Sequence, residues 1–258
     1  ITGTADDTVA STGVKSGGIT TGSTANPKNT GSTKTSYKKY TYSGDVTLDG
    51  ITLDGTNAWL VNSKNKTLTV NGIAAGDDMV AINIINGGDF NFTSATATTS
   101  NLVLNATASG TANAYGFYLN NGLGYMPFMT TNISVSGAAG VYGLYADNST
   151  FIGAYGTAVK DFAIGSKSGD TITYGLSTTA TGSDKAAGIY ATNNSEVLVP
   201  KYTAYVQGNG IVSKSSSKVA VGSDKASSAT TIYVDNTNTN RPKTKKVIID
   251  KANTLNEK

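Results

Sequence analysis

A short motif centred on glycine recurs along the chain and constrains its fold more than any other feature. Its three clear copies are Ala-Tyr-Gly-Phe-Tyr at 114–118, Val-Tyr-Gly-Leu-Tyr at 141–145 and Ala-Ala-Gly-Ile-Tyr at 186–190, with a weaker copy at 173–177. An asparagine-containing turn follows each clear copy, and a short apolar segment follows the second and third turns. Such repetition indicates supersecondary units that stack on one another and share one core.

The sequence between the copies predicts an all-β chain. Its candidate strands are short, as at 68–70 and 197–199, and Asp-Gly and Asn-Gly pairs punctuate them. No apolar stripe of helical period extends over more than about two turns. Because the motif's glycine recurs at irregular intervals, we predict a parallel β-helix (a β-solenoid), in which loops of any length leave a rung without disturbing the stack.

The composition excludes several kinds of site. The sequence has no histidine and no cysteine, so it offers no Ser-His-Asp or Cys-His catalytic arrangement and no disulfide. Its 20 basic and 17 acidic residues give a net charge of +3, and the excess lies after residue 240. The nearly neutral body argues against a nucleic-acid groove. No apolar run is long enough to cross a membrane. We therefore predict no catalytic residue, no metal ligand, no cofactor, no nucleic-acid partner and no membrane insertion.

The composition also divides the chain into three segments. Residues 1–36 are rich in Thr, Ser, Gly and Ala without apolar periodicity, and are predicted to be a low-complexity segment or a cap. Residues 37–235 carry the strand pattern and are predicted to form the β-solenoid. Residues 236–258 are predicted to be a basic tail or linker. We expect both termini to be disordered or loosely ordered.

Two stretches of the repeat resemble a known family. Tyr-Gly-Leu-Tyr-Ala-Asp-Asn-Ser-Thr at 142–150 and Ala-Gly-Ile-Tyr-Ala-Thr-Asn-Asn-Ser-Glu-Val at 187–197 resemble the rungs of bacterial autotransporter passenger domains. Members of that family are secreted right-handed parallel β-helices carried to the cell surface by an outer-membrane barrel. The resemblance, over roughly residues 44–235, implies a right-handed parallel β-helix with irregular loops. It also implies an extracellular location at the bacterial surface, with the anchor in a segment that this sequence lacks.

The resemblance and the missing catalytic groups together imply a non-enzymatic function in adhesion or self-association. The partner would be a protein or glycan on a host cell or neighbouring cell, or a second copy of the chain. One alternative is a structural subunit of a surface layer or filament. Another is a polysaccharide-binding or polysaccharide-cleaving β-helix of the tailspike type, in which Asp77 and Asp78 resemble the paired carboxylates of a glycosidase.

The segment 120–129 is the first candidate binding segment. It combines aromatic and methionine side chains in a predicted loop, and such side chains offer a large contact area for recognition. Its predicted binding residues are Tyr125, Met126, Phe128 and Met129. The alternative is that this loop folds back and covers a hydrophobic side of the β-helix.

The start of the predicted solenoid is the second candidate. Tyr37 and Tyr40 flank Lys38 and Lys39, and the two tyrosines are predicted to present a face that binds a sugar or another partner. The alternative is an edge strand whose outward lysines prevent aggregation.

Overall fold

The computed structural model describes part of the N-terminal segment and most of the remaining chain. The described spans are 2–3, 9–10, 14–16, 20–22, 37–42, 44–62, 65–94, 100–126, 129–153, 160–179, 185–222, 230–237, 243–249 and 254–257. Within these spans the chain forms 29 short strands and no helix, which confirms the predicted all-β class. Accordingly, no helix in the described spans is suited to crossing a membrane.

The strands follow one another closely along the chain. The first fifteen are β1 (Thr2–Gly3), β2 (Val9–Ala10), β3 (Val14–Ser16), β4 (Thr20–Gly22), β5 (Lys38–Tyr42), β6 (Val46–Asp49), β7 (Ile51–Asp54), β8 (Asn57–Asn62), β9 (Thr67–Asn71), β10 (Ile73–Ala75), β11 (Asp78–Ile85), β12 (Asp89–Ser94), β13 (Ser100–Thr107), β14 (Ala114–Asn120) and β15 (Leu123–Tyr125). The others are β16 (Met129–Gly137), β17 (Val141–Asp147), β18 (Thr150–Ile152), β19 (Phe162–Ser168), β20 (Thr171–Tyr174), β21 (Leu176–Thr178), β22 (Ala186–Thr192), β23 (Glu196–Val199), β24 (Tyr202–Val206), β25 (Asn209–Ser213), β26 (Lys218–Val221), β27 (Thr231–Val234), β28 (Val247–Ile249) and β29 (Thr254–Glu257).

These strands form three sheets, in which most neighbours are parallel. Sheet A has the order β2, β1, β7, β11, β14, β17, β22, β25, β28, with β10 beside β11. Sheet B has the order β20, β19, β24, β21, β16, β13, β9, β6, β3, with β27 beside β24. Sheet C has the order β29, β26, β23, β18, β15, β12, β8, β5, β4.

From β5 onward the chain passes through sheets C, B and A in turn, and one such pass is called a rung here. The strands β8, β9 and β11 form one rung, and β12, β13 and β14 form the next. Each strand pairs in parallel with its counterpart in the following rung. This arrangement of parallel strands is consistent with the predicted β-helix.

The glycines of the repeated motif lie in register. Gly116, Gly143, Gly188 and Gly210 occupy the same position in the consecutive strands β14, β17, β22 and β25, because the residues on either side of them are paired. The prediction that these segments are structural repeats is therefore confirmed. Their irregular spacing in sequence arises from the different lengths of chain that connect the rungs.

The predicted weaker copy at 173–177 is wrong. Here β20 folds back antiparallel on β19, and β21 then joins sheet B beside β16. The segment is thus part of a hairpin inserted in sheet B and contributes no strand to sheet A. Its glycine meets a different need, because a Cβ atom added to Gly175 would lie 2.6 Å from the carbonyl oxygen of Ile133.

Close approach of neighbouring backbones explains the glycines of the motif. A Cβ atom added to Gly116 would lie 2.6 Å from the carbonyl oxygen of Gly143, and one added to Gly143 would lie 2.6 Å from that of Gly188. Real Cβ atoms essentially never approach another heavy atom within 3.0 Å. The rungs can therefore stack at this position only if it lacks a side chain.

The core lies between the three sheets, and each sheet contributes its inward side chains. In β13, for example, Leu102 and Leu104 are buried while the intervening residue is partly exposed, as expected for a strand with one face on the core. Three phenylalanines from the three sheets meet inside, with ring centroids 5.1 Å apart for Phe117 and Phe151 and 5.6 Å apart for Phe151 and Phe162. Aromatic packing of this kind ties the sheets to one another.

The corner between sheets A and C is built from asparagine and serine. Asn86, Asn121 and Asn148 have φ values of 52°, 52° and 45°, a left-handed conformation that asparagine tolerates better than most residues. The predicted turns at Asn121 and Asn148, which follow the first two copies of the motif, are therefore confirmed. In the same corner the backbone N–H of Ser149 donates to Oγ of Ser195 at 3.1 Å, and that of Ser195 donates to Oγ of Ser217 at 3.0 Å. These buried serines connect successive rungs and were not predicted.

Strands also occur in the two terminal segments. In sheet A, β1 pairs in parallel with β7, while β3 and β4 pair antiparallel with β6 and β5. At the other end β28 and β29 extend sheets A and C beyond residue 235. The division of the chain into three segments stays a prediction.

Candidate binding face

The first predicted binding segment lies largely inside the molecule. Tyr125, Met126 and Met129 are buried, and the two methionines belong to the core between the sheets. Phe128 lies outside the described residues. The structure therefore does not present these three side chains to a partner, and a role for this segment in binding stays a prediction.

The second predicted segment is also buried. Tyr40 belongs to the core, and the hydroxyl of Tyr37 donates a hydrogen bond of 2.6 Å to Oδ2 of Asp89. Strand β5 lies between β4 and β8 and is not an edge strand. Outside the sheet, Nζ of Lys39 lies 4.9 Å from the centre of the Trp59 ring. The two tyrosines therefore do not form the predicted surface.

A different set of aromatic residues lies on the outer side of sheet A. These residues come from the three clear copies of the motif, on β14, β17 and β22, and form a cluster separate from the core. Tyr118, Tyr145 and Tyr190 are half-buried, and Tyr115 and Tyr142 are more deeply covered beside them. We call this set, Tyr115, Tyr118, Tyr142, Tyr145 and Tyr190, the tyrosine face.

The glycine of the motif explains why these tyrosines point outward. On β14, Ala114, Phe117 and Leu119 belong to the core, whereas Tyr115 and Tyr118 belong to the outer cluster. Strict alternation would place residues 115 and 117 on the same side of the sheet. The strand departs from alternation at residue 116, where the glycine has no side chain to place on either side. One tyrosine before the glycine and one two residues after it thus share the outer side.

The tyrosine rings stack from rung to rung in two columns. In the first column the ring centroids of Tyr118 and Tyr145 are 5.4 Å apart, and those of Tyr145 and Tyr190 are 5.0 Å apart, with interplanar angles of 8° and 6°. In the second column Tyr115 and Tyr142 are 5.2 Å apart at 14°. These distances follow the strand spacing of about 4.8 Å. Within each column the ring faces cover one another, so that open faces remain only at the ends.

The environment of Tyr115 and Tyr145 favours the protonated form of their phenols. Burial raises the pKa of Tyr115, and the nearby carboxylate of Asp78 raises it further. Burial and the carboxylate of Asp147 raise the pKa of Tyr145 in the same way. These two hydroxyls are therefore uncharged at neutral pH and can both donate and accept hydrogen bonds.

One end of the columns opens into a pocket of about 390 Å³, which we call the slot. Tyr115 and Tyr118 line one side of the slot, and the hairpin formed by β10 and β11 lines the other. In β11, Val80 and Asn83 occupy the positions that tyrosines occupy in β14. The slot thus lies where the column of Tyr118 would have its next ring, whereas the buried Val80 packs in the cluster with Tyr115.

The opposite end of the columns is covered. Beyond Tyr190 the paired residue in β25 is Val212, which is fully buried. Nζ of Lys214 lies 6.0 Å from the centre of the Tyr190 ring, a distance at which a cation interacts with an aromatic face. The two ends of the tyrosine face therefore differ, and among the described residues the slot lies at the end beside β11.

Polar side chains border the tyrosine face and connect its rungs. The amide of Asn86 donates to the carboxylate of Asp54 at 2.7 Å, and that of Asn193 donates to Asp147 at 2.8 Å. The face thus has an aromatic centre and a polar rim, as protein recognition surfaces have.

The predicted carboxylate pair does not face a shared cleft. Asp77 is exposed in the turn between β10 and β11. Oδ1 of Asp78 accepts hydrogen bonds from the backbone N–H and the side-chain amide of Asn113, at 2.8 and 3.0 Å. Asp78 therefore holds the loop before β14 in place. The described residues contain no group of three or more acidic side chains that is suited to hold a metal ion.

Sequence reasoning identified the repeats but missed the tyrosine face. The missed signal was the spacing of the tyrosines around the glycine, one before it and one two residues after it, which strict alternation assigns to opposite sides of a strand.

No protein-family model, curated protein or solved structure matches the chain.

Proposed function

We propose that the protein is a non-enzymatic recognition module at the bacterial cell surface, and that it acts in adhesion through the tyrosine face. In this proposal the rungs form a right-handed β-helix of the autotransporter passenger type. The helix holds the tyrosine face outside the cell and directs it at a partner on another cell.

The observation that supports this proposal is the half-buried stack of Tyr118, Tyr145 and Tyr190 on the outer side of sheet A. Tyrosine is enriched among the residues that contribute most to binding, because its ring offers much apolar area and its hydroxyl a hydrogen bond. In most proteins an exposed tyrosine loses rotamer freedom when a partner binds. Here the rings are already ordered by their neighbours, so that little of this entropy remains to be lost.

The partner that we propose is a protein or glycan on the surface of a host cell or neighbouring cell. An uncharged aromatic centre favours a partner that contributes apolar area and hydrogen bonds over one that is recognised by its net charge. Self-association through the same face is the second form of adhesion. It would show as a monomer–dimer equilibrium that depends on the same three tyrosines.

The proposal is tested by the adhesion of beads that carry the purified chain. The test variant replaces Tyr118, Tyr145 and Tyr190 together by alanine. The matched control is Tyr233→Ala, because Tyr233 is 38% exposed but lies on sheet B. Bead adhesion is counted on cells of the producing bacterium and on host epithelial cells, and circular dichroism verifies that each variant is folded.

We expect the triple variant to lose at least nine tenths of the adhesion and the control to retain it. Equal adhesion of the wild type and a folded triple variant would refute the proposal. Adhesion to the producing bacterium alone would indicate self-association or recognition of its own surface.

A further inference from the structure

We propose that the slot binds a neutral sugar ring of a cell-surface glycan, with the ring stacked against Tyr118 and bordered by Tyr115. This inference rests on the proposed function and identifies the chemical class of its partner.

The stacking geometry supplies the first reason. One face of Tyr118 is covered by Tyr145, and one face of Tyr115 is covered by Tyr142. The other face of Tyr118 is turned toward β11, where Asn83 takes the place of an aromatic residue, whereas the buried Val80 packs with Tyr115. A ring of similar width that enters the slot would take the next place in the stack. The apolar C–H face of a pyranose ring suits this position, because it packs flat on an aromatic ring.

An unpaired buried acceptor supplies the second reason. Asn83 lines the slot and is only 7% exposed. Its Oδ1 accepts no hydrogen bond from any described residue. A buried polar atom without a partner is destabilising, so a ligand that donates a hydrogen bond here gains by satisfying it. A sugar hydroxyl at the edge of the stacked ring is such a donor.

The charge of the slot selects among sugars. No lysine or arginine is among the described residues that line it, whereas Asp78 is. A carboxylate in the wall disfavours uronic and sialic acids by like-charge repulsion. The remaining polar groups, such as Asn86 and Asn120, are uncharged amides that pair with hydroxyls. The volume of about 390 Å³ lies in the range of about 300–1,000 Å³ that is usual for small-ligand sites.

These polar groups also distinguish a sugar from the aromatic side chain of a protein partner. A phenylalanine ring would cover Tyr118 but would leave Oδ1 of Asn83 buried without a donor. A tyrosine or tryptophan side chain offers one donor, whereas a pyranose ring offers hydroxyls around most of its edge. The arrangement of one aromatic wall and several amides on the slot therefore favours a sugar.

The test measures the binding of defined oligosaccharides to the full chain by titration calorimetry. The neutral probes are hexasaccharides of glucose, mannose, galactose and xylose. The anionic probes are sialyllactose and trigalacturonic acid, and a tryptophan-containing peptide represents a protein partner. The key variant is Asn83→Tyr, which adds the missing ring to the column and thereby fills the slot from within. Asn83→Leu removes the acceptor while keeping the branched shape and the number of heavy atoms of the side chain, and Tyr233→Ala is the control.

We expect at least one neutral hexasaccharide to bind the wild type and Tyr233→Ala equally. The same sugar should bind Asn83→Tyr and Tyr118→Ala at least tenfold more weakly, and Asn83→Leu several-fold more weakly. Thermal unfolding monitors each variant, and Asn83→Tyr should unfold at a temperature no lower than the wild type, because the added ring extends the stack. Tyr118→Ala opens the slot instead of filling it and serves as the second binding variant if Asn83→Tyr does not fold.

The inference is overturned if no neutral hexasaccharide binds, if only an anionic sugar or the peptide binds, or if filling the slot leaves sugar binding unchanged. The bead experiment separates this failure from failure of the proposed function. If the triple tyrosine variant loses adhesion while Asn83→Tyr keeps it, the tyrosine face acts in adhesion but the slot does not hold the ligand.

Discussion

At the scale of single residues, the absence of a side chain at Gly143 allows sheet A to stack. The nearest described heavy atoms to an added Cβ belong to the core residue Ile164 and to the backbone of Gly188. We expect Gly143→Ala to lower the free energy of unfolding by about 1–3 kcal/mol, the usual range for overpacking. Chemical denaturation measures the change.

The matched control for this prediction is Gly44→Ala. A Cβ at Gly44 would have no heavy atom within 4 Å, and Gly44 does not have a positive φ. We expect this change to alter the free energy of unfolding by less than about 0.5 kcal/mol. Similar losses in the two variants would mean that the close approach at the glycine column does not limit the stacking of the rungs.

Two buried tyrosines differ in whether their hydroxyl is paired. The hydroxyl of Tyr202 donates to the carbonyl oxygen of Gly210 at 2.9 Å, whereas that of Tyr40 has no hydrogen-bond partner among the described residues. At neutral pH we expect Tyr202→Phe to lower the free energy of unfolding by about 1 kcal/mol and Tyr40→Phe to raise it by a similar amount. Urea denaturation at pH 7 distinguishes these outcomes. A loss of stability in Tyr40→Phe would contradict a Tyr40 hydroxyl that is buried without a hydrogen bond.

The same tyrosines predict how stability depends on alkaline pH. Burial raises the pKa of both phenols above their ordinary value of 10. The unfolded chain therefore releases these protons first, so that their contribution to stability is complete below pH 10 and falls as the pH rises above it. We expect the free energy of unfolding to decline between pH 10 and 11.5, and to decline less steeply in either phenylalanine variant. If the free energy of unfolding declines as steeply with pH in both variants as in the wild type, the two buried phenols do not cause the decline.

The residues that sequence reasoning chose for binding show a physical limit of such reasoning. Tyr125, Met126 and Met129 were chosen because aromatic and methionine side chains favour recognition, but the same side chains also favour a core. Their apolar character does not show whether these side chains point into the core or toward solvent. That information depends on the register of two strands. Strand β15, which ends at Tyr125, pairs with β12 and β18 on its two sides, and β16, which begins at Met129, pairs with β13.

At the scale of elements, the stacked columns of the tyrosine face should stabilise sheet A. Ring pairs of this kind contribute about 0.5–1.5 kcal/mol beyond the area that they bury. We expect a double-mutant cycle of Tyr118→Leu and Tyr145→Leu to show a coupling free energy in this range. The control cycle combines Tyr118→Leu with Tyr233→Leu, which lies on a different sheet and should not couple. Equal coupling in both cycles would contradict the columns as described.

Most strands of the rungs could be predicted from the sequence, because alternating apolar residues and glycine or asparagine turns suffice to locate them. The assignment of strands to sheets could be predicted only where a motif repeats, as in β14, β17 and β22. The hairpin of β19 and β20 could not be recognised, because antiparallel pairing within a loop leaves no periodic signal. The slot was also unpredictable, since it arises from the absence of a tyrosine at Val80 and Asn83 in an otherwise similar strand.

At the scale of the whole molecule, the three sheets allow one outer face to specialise. The inward side chains of each rung form a continuous core, so that the outer side of sheet A can carry tyrosines without a cost to folding. Parallel stacking then places equivalent side chains about 4.8 Å apart. The tyrosines of a motif that recurs at irregular intervals in the sequence are thereby regularly spaced on the surface.

Oxidative footprinting of the chain on intact target cells tests most directly whether this surface makes the contact. The chain is oxidised in solution and when bound to cells, and mass spectrometry measures the modification of each tyrosine. We expect Tyr118, Tyr145 and Tyr190 to be modified less on cells than in solution, and Tyr233 to be modified equally in both. Unchanged modification of the three tyrosines on cells that bind the chain, or protection of Tyr233 in their place, would contradict adhesion through the tyrosine face.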